Sequence, residues 1–309
     1  IYFDTSTFPA YKDFAHLDIE GLKSGARVEE NTEKRNITDF ALWKFSPTDE
    51  KRQMEWDSPW GKGFPGWHIE CSAMSMKYLG THFDIHTGGI EHIPVHHTNE
   101  IAQSESVTGE TYVNYWMHNN HLLDTTGKMS KSNDDFLTIS TLVEKSYKPL
   151  AYRYFLLTAN YGKELSFSYE ALDGATVAYK KLYTFCANQT GNTGTINQEY
   201  KNKFDEVLAN DLNTPQGLAV IWTLFNDVTI SDADKYATIL SFDAVLGLGL
   251  AEAKKEEVTI TSEVQELLDA RATARASSNY PESDRLRNEI KALGFEVKDG
   301  GSGQEINKR

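Results

Sequence analysis

Cysteine is scarce in this sequence. Its two cysteines in 309 residues, Cys71 and Cys186, lie far apart in dissimilar surroundings, which excludes a disulfide framework and leaves each thiol to be explained separately. Long apolar runs are missing as well. No stretch approaches the roughly 18 apolar residues of a membrane-spanning helix, and the opening Ile1-Tyr2-Phe3-Asp4 has neither the basic nor the apolar part of a signal peptide. A soluble, cytoplasmic protein without a membrane partner is expected. Positive charge is in deficit: 31 Lys and Arg against 45 Asp and Glu set the formal charge at -14. That excludes an indiscriminate grip on nucleic-acid phosphates, which relies on surplus cations, so any such contact must be local. The best local stretch holds Arg271, Arg275, Arg285, Arg287 and Lys291 in a helical pattern poor in acids, for which a solvated helix face is the plainer reading. The first residue is Ile rather than Met, from which a natural N-terminus elsewhere is expected.

What is present is ordinary globular composition, 39% hydrophobic and 25% charged, over a length that accommodates several domains. The first 60 residues are polar and turn-rich, as in a connecting module, and end in the Pro- and Gly-punctuated run from Trp56 to Trp67. Ile69, Ala73, Met76 and Leu79 then share one face of a helix stopped by Gly80. A strand at 83–85, a helix at 96–106 and a strand at 112–117 follow, the alternation of a parallel α/β sheet. After Gly127 helical periodicity dominates, at 150–161, 169–189, 200–210, 215–227, 232–246, 262–277 and 283–293. The expected fold class is therefore α/β plus all-α. A linker at 250–261 should lead to a last helical hairpin.

Two clusters carry chemistry. His96 and Glu100, four residues apart at a helix start, project from one face. Cys71 could join them. Thiolate, imidazole and carboxylate are all zinc donors, and three protein ligands with an open position characterise a catalytic zinc. On spacing alone a helix cap, a salt bridge and a buried thiol are the commoner readings of these residues. The second cluster is Lys128-Met129-Ser130-Lys131-Ser132 after Gly127. Two lysines on a short loop can neutralise charge developing on a leaving pyrophosphate.

That pentapeptide is identical to the signature loop of class I aminoacyl-tRNA synthetases. The segment from Phe64 to Met74, containing His68 and Cys71, resembles the zinc-cysteine signature of cysteinyl-tRNA synthetases, and Asp84-Ile85-His86 through Glu105 resembles their next signature. Further similarity runs through Tyr115-Trp116-Met117-His118-Asn119, Leu212-Asn213-Thr214-Pro215 and the ending from Arg285 to Gly294. The resemblance implies the C-terminal half of a Rossmann-like catalytic domain with an inserted connective module, followed by a tRNA-binding helical bundle. Its divisions would be 1–60 (connective module), 61–125 (Rossmann-like half), 126–168 (signature loop and stem-contact region), 169–250 (bundle) and 251–309 (linker and anticodon-binding hairpin). It further implies that Cys71, His96 and Glu100 are zinc ligands, that Trp67, His68 and His86 line the amino-acid pocket, and that Lys128, Ser130, Lys131 and Ser132 serve ATP and its Mg2+. Cysteine, ATP and tRNA(Cys) would be the partners of a monomeric enzyme.

Some family features are absent from these residues. No His-x-Gly-His occurs, and Cys186, beside Phe185 in an apolar helix, reads as core rather than as a fourth ligand. Both features are expected in a segment preceding Ile1, so the chain alone is expected to be incomplete for aminoacylation. Thr87 stands where the family has glycine, Val95 where it has proline before His96, and Thr98 where it has glutamate. These changes spare the ligands and read as lineage variation, with His92 available as an extra ligand. Two rival readings are a cysteine ligase acting on an amino sugar and a non-catalytic RNA- or zinc-binding relative.

Overall fold

The computed structural model describes residues 1–18, 33–49, 51–124, 127–128, 137–255, 260–300 and 303–308. The chain divides into one unit of residues 1–180 and 194–248 and another of residues 181–193 and 249–309.

The first unit opens with short antiparallel pairs, β1 (Tyr2–Phe3) with β2 (Phe40–Ala41) and β3 (Trp43–Phe45) with β4 (Gly63–Pro65). Gly66 then turns the chain into α1 (Trp67–Leu79). Only glycine fits there, since a Cβ would sit 1.8 Å from the Ala41 carbonyl oxygen. Next come β5 (Phe83–Gly89), α2 (Thr98–Thr108) and β6 (Val113–Asn119). β5 and β6 pair in parallel, Phe83 opposite Val113 and Gly89 opposite Asn119, so this is a βαβ unit. Strand β5 runs on through Gly88 and Gly89, beyond the end expected at residue 85. The helix expected to start at residue 96 starts instead at Thr98, after a π-helical turn over Ile93–His97. Pro94 gives that turn no N–H, and Thr98 Oγ1 donates to the Ile93 carbonyl at 2.7 Å, so the backbone takes the wider turn common at functional sites.

A small sheet of β7 (Leu122–Asp124), β8 (Gly127–Lys128) and β9 (Leu165–Ser166) follows, in the order β8-β7-β9. Between its strands lie α3 (Ile139–Glu144), which the sequence pattern missed, and α4 (Pro149–Leu156). Thr138 caps α3 by accepting from the Thr141 N–H. The helix expected to reach residue 161 stops earlier because Asn160 Oδ1 accepts from the Gly162 N–H at 2.9 Å and makes a turn. α5 (Tyr169–Gln189) matches its expected span and crosses from the first unit into the second. α6 (Gln198–Ala209), α7 (Thr214–Asn226) and α8 (Asp232–Leu246) pack around Ile221, Leu224 and Ile239, with Phe204 stacked on Phe242 at 4.2 Å. No described helix is long and apolar enough to cross a membrane.

In the second unit Cys186 is fully buried, as expected of a core thiol. The helical hairpin there is α9 (Ser262–Ala276) and α10 (Tyr280–Ala292). α10 starts before the expected Ser283 because Asn279 caps it, accepting from the Glu282 N–H, with Pro281 in the first turn. The ending is a further correction: β10 (Phe295–Gly300) and β11 (Gly303–Lys308) form an antiparallel hairpin. Phe295 and Val297 alternate inward and join Val264, Leu268 and Ile290 in one cluster. The basic stretch also changes meaning. Arg271 is not on a solvated face; it is 0% exposed and donates from both terminal nitrogens to Asp299, at 2.9 and 3.0 Å. Arg275 and Arg287 reach the same carboxylate, and Arg285 pairs with Glu282 and Glu289.

Candidate metal and amino-acid site

Two helices, one strand and the π-helical turn of the first unit converge on one carboxylate. α2 is fixed from outside by Tyr11, whose hydroxyl donates to Asn99 Oδ1 at 2.6 Å, and by a cluster of Tyr11, Phe40 and Ala102. It is fixed to α1 by buried polar contacts. Gln103 Nε2 donates to the His68 carbonyl at 2.7 Å and to Ser72 Oγ at 2.6 Å, and Ser104 Oγ donates to Ser72 at 3.0 Å. These contacts turn Cys71 of α1 toward His96 and Glu100. The ligand atoms of all three lie within 4.8 Å of one another.

Glu100 is 0% exposed. Its Oε1 lies 2.8 Å from His96 Nε2 and its Oε2 lies 3.3 Å from His86 Nε2. Both are ion-pair contacts, and among the described residues neither oxygen has a partner that also meets the angle of a good hydrogen bond. Burial pushes the carboxyl up, but His86 and His96 outweigh it and hold the value down at about 2. A buried anion in that state requires a neighbouring cation, and the donors around it are of the kind that hold a divalent metal. The residues fit such an ion. Burial, with Glu100 and Glu70 nearby, pushes the Cys71 thiol up, so the thiolate form would be supplied by metal binding itself.

A ring of imidazoles surrounds the three. His68 Nδ1 is 2.9 Å from His96 Nδ1. Burial, then the neighbouring His96, pushes His68 down to about 4, and burial pushes His97 down to about 3, so both are neutral near pH 7. Trp67 is 66% exposed, with its ring 5.1 Å from that of His96. All six residues expected at the metal and amino-acid site are thus brought together. The loop residues Ser130, Lys131 and Ser132 lie outside the described residues, and Lys128 is described only by its backbone in β8.

Sequence reasoning missed His97 and His118, whose Nδ1 and Nε2 are 2.7 Å apart, and Trp116, which contacts His86, His97 and Phe14. The parallel register could have indicated them, because it sets His86 beside Trp116 and Gly88 beside His118. Gly88 makes room for this ring: a Cβ there would lie 2.6 Å from His97 Cε1 and 2.8 Å from His92 Nδ1. A second donor group, His86, His97 and Glu100, also falls within 4.8 Å and shares the same carboxylate.

Residues 1–177 match the family described as tRNA synthetases class I (C) catalytic domain, and residues 258–306 match the cysteinyl-tRNA ligase anticodon binding domain. The chain is 49% identical over 308 residues to cysteine-tRNA ligase 1 of Burkholderia lata, covering 99% of this chain and 65% of that relative. It is 39% identical over 331 residues to the Treponema denticola cysteine-tRNA ligase, covering 97% of this chain and 67% of the relative. For the enzyme of Caldicellulosiruptor saccharolyticus the identity is 38% over 329 residues, covering 100% and 70%. The chain therefore spans about two thirds of the length of these relatives, and on these matches it belongs to the cysteinyl-tRNA synthetase family of class I aminoacyl-tRNA synthetases.

Proposed function

We propose that this protein activates cysteine with ATP and transfers it to tRNA(Cys). The observation that carries the reading is Glu100, buried within 4.8 Å of the His96 and Cys71 ligand atoms, with neither oxygen in a hydrogen bond of good geometry among the described residues. These three residues would hold a zinc ion. When bound, the ion would take the substrate's thiolate at its open position, a bond that serine's hydroxyl makes poorly; discrimination by packing between such similar side chains would be weaker.

In the remaining steps the chain's own groups bind and orient the reactants. Trp67, His68 and His86 border the amino acid. The cysteine carboxylate oxygen attacks the ATP α-phosphorus, the bond to the β-phosphate bridging oxygen breaks, and pyrophosphate leaves with the electron pair. Lys128 and Lys131, with Ser130 and Ser132, would neutralise that leaving group and orient the Mg2+-bound phosphates. A terminal ribose hydroxyl of the tRNA then attacks the cysteinyl carbonyl, and AMP departs. Orientation and charge neutralisation carry both steps, without a protein nucleophile.

The amino-sugar ligase reading is disfavoured by the anticodon-binding family match at residues 258–306, which such an acceptor would not need. The test is spectroscopic. With cobalt in place of zinc, added cysteine should strengthen thiolate-to-metal charge transfer while serine leaves the spectrum unchanged. Equal responses to the two amino acids, or none, would refute the assignment.

A further inference from the structure

Among the groups that the proposed chemistry leaves without a defined task, the nitrogens of His68 and His86 stand out, because each faces a ligand atom's other side. We propose that both are positioning residues for a single ion: His68 fixes the tautomer of His96, and His86 fixes the rotation of the Glu100 carboxylate. The proposal rests on the metal reading above.

His68 is held before any metal arrives. Its carbonyl accepts from Gln103, and its ring meets the Phe40 ring edge-on at 5.6 Å. Its Nδ1 lies 2.9 Å from His96 Nδ1, so one of the two nitrogens carries a proton and the other accepts it. His96 turns Nε2 toward Glu100. A neutral ligating imidazole that offers Nε2 keeps its proton on Nδ1, so His96 donates and His68 accepts. An acceptor behind a ligating imidazole sharpens its orientation and raises its basicity.

His86 does the equivalent for the carboxylate. Its Nε2 is 3.3 Å from Glu100 Oε2, while Oε1 is turned to His96. The His86 ring is clamped by Phe83 at 5.6 Å, His97 at 5.0 Å and Trp116 at 4.8 Å. A carboxylate held at one oxygen by this ion-pair contact presents the other in a preferred direction. The competing arrangement makes His86 a ligand, with His97 and Glu100, of a second ion. Charge disfavours it: one thiolate and one carboxylate balance one dication, and a second would be buried uncompensated.

The test is zinc stoichiometry by elemental analysis together with zinc affinity by chelator competition, on the full chain. Wild type should hold one zinc. His68→Ala and His86→Ala should still bind one, but roughly 10- to 100-fold more weakly, the usual effect of losing an outer partner. His68→Asn, which restores an acceptor near the Nδ1 position, and His86→Gln, which restores a donor near Nε2, should recover most of the affinity. These isosteric variants keep the test valid if an alanine variant fails to fold. Unchanged affinity in the alanine variants would overturn the proposal, as would two zinc ions in wild type with one lost in His86→Ala. Absence of zinc from wild type would remove the metal reading itself and this inference with it.

Discussion

Among the described residues, each unit holds one charged side chain with no exposure at all, Glu100 in the first and Arg271 in the second, and the two are treated differently. Glu100 in the first unit has imidazole nitrogens near both oxygens yet, among the described residues, no hydrogen bond of good geometry. Arg271 in the second has both terminal nitrogens paired to the Asp299 carboxylate, and a third contact to Gln304. The arginine has its charge paired through both terminal nitrogens, leaving only Nε without a hydrogen bond among the described residues, and it ties β10 to α9. The glutamate is prepared for something else. A buried charge whose partners satisfy it is structural, whereas one whose neighbours are all potential ligands marks a site.

The comparison breaks most visibly if Arg271 is not the keystone of its unit. Asp299→Ala should leave a guanidinium buried without its main partner and destabilise the second unit by about 3 kcal/mol, the low end of the usual range because Gln304 still accepts. Thermal unfolding followed by amide exchange at residues 262–306 checks this, and protection as in wild type would show that the pair is dispensable.

Acid should separate the two regions more gently. In metal-free protein, His68 and His97 have folded values near 4 and 3, below the unfolded value of 6.5. The unfolded chain then binds more protons between those limits, so the first unit loses stability as pH falls from about 6.5 toward 4 and 3. Asp299 is depressed from 3.8, chiefly by its bond with Arg271, so its contribution persists above that value and fades only as pH drops through the lower folded one. All six tryptophans lie in the first unit, so their fluorescence should report the earlier, histidine-linked loss. Coincident acid transitions of the two units would erase the distinction.

The smallest effect is expected at Arg285, which pairs with Glu282 and Glu289 on the exposed face of α10. Its replacement by alanine should leave the melting temperature within error of wild type, since exposed pairs on one helix contribute little. A shift as large as that of Asp299→Ala would mean that exposure is a poor guide to which charges matter here.

The sequence was most legible where spacing and chemistry coincide. The four-residue spacing of His96 and Glu100 matches their contact in the structure, and α5 and α8 follow sustained periodicity bounded by clear stops. What it hid depends on contacts between elements. His118 enters the imidazole ring only because β5 and β6 pair in a parallel register that sequence spacing does not encode. Arg271 looked like a surface cation because its partner lies 28 residues away, on a strand of the final hairpin. That hairpin was itself missed, although Phe295 and Val297 alternate with Glu296 and Lys298, because two inward residues are a weak period-two signal after a strong helical one.

Metal content tests the central claim most directly. The full chain, exposed to zinc and freed of excess, is assayed by elemental analysis beside Cys71→Ala and Glu100→Gln. One zinc per wild-type chain, lost in both variants, is the predicted result. A zinc-free wild type, or zinc retained equally in all three proteins, would contradict it.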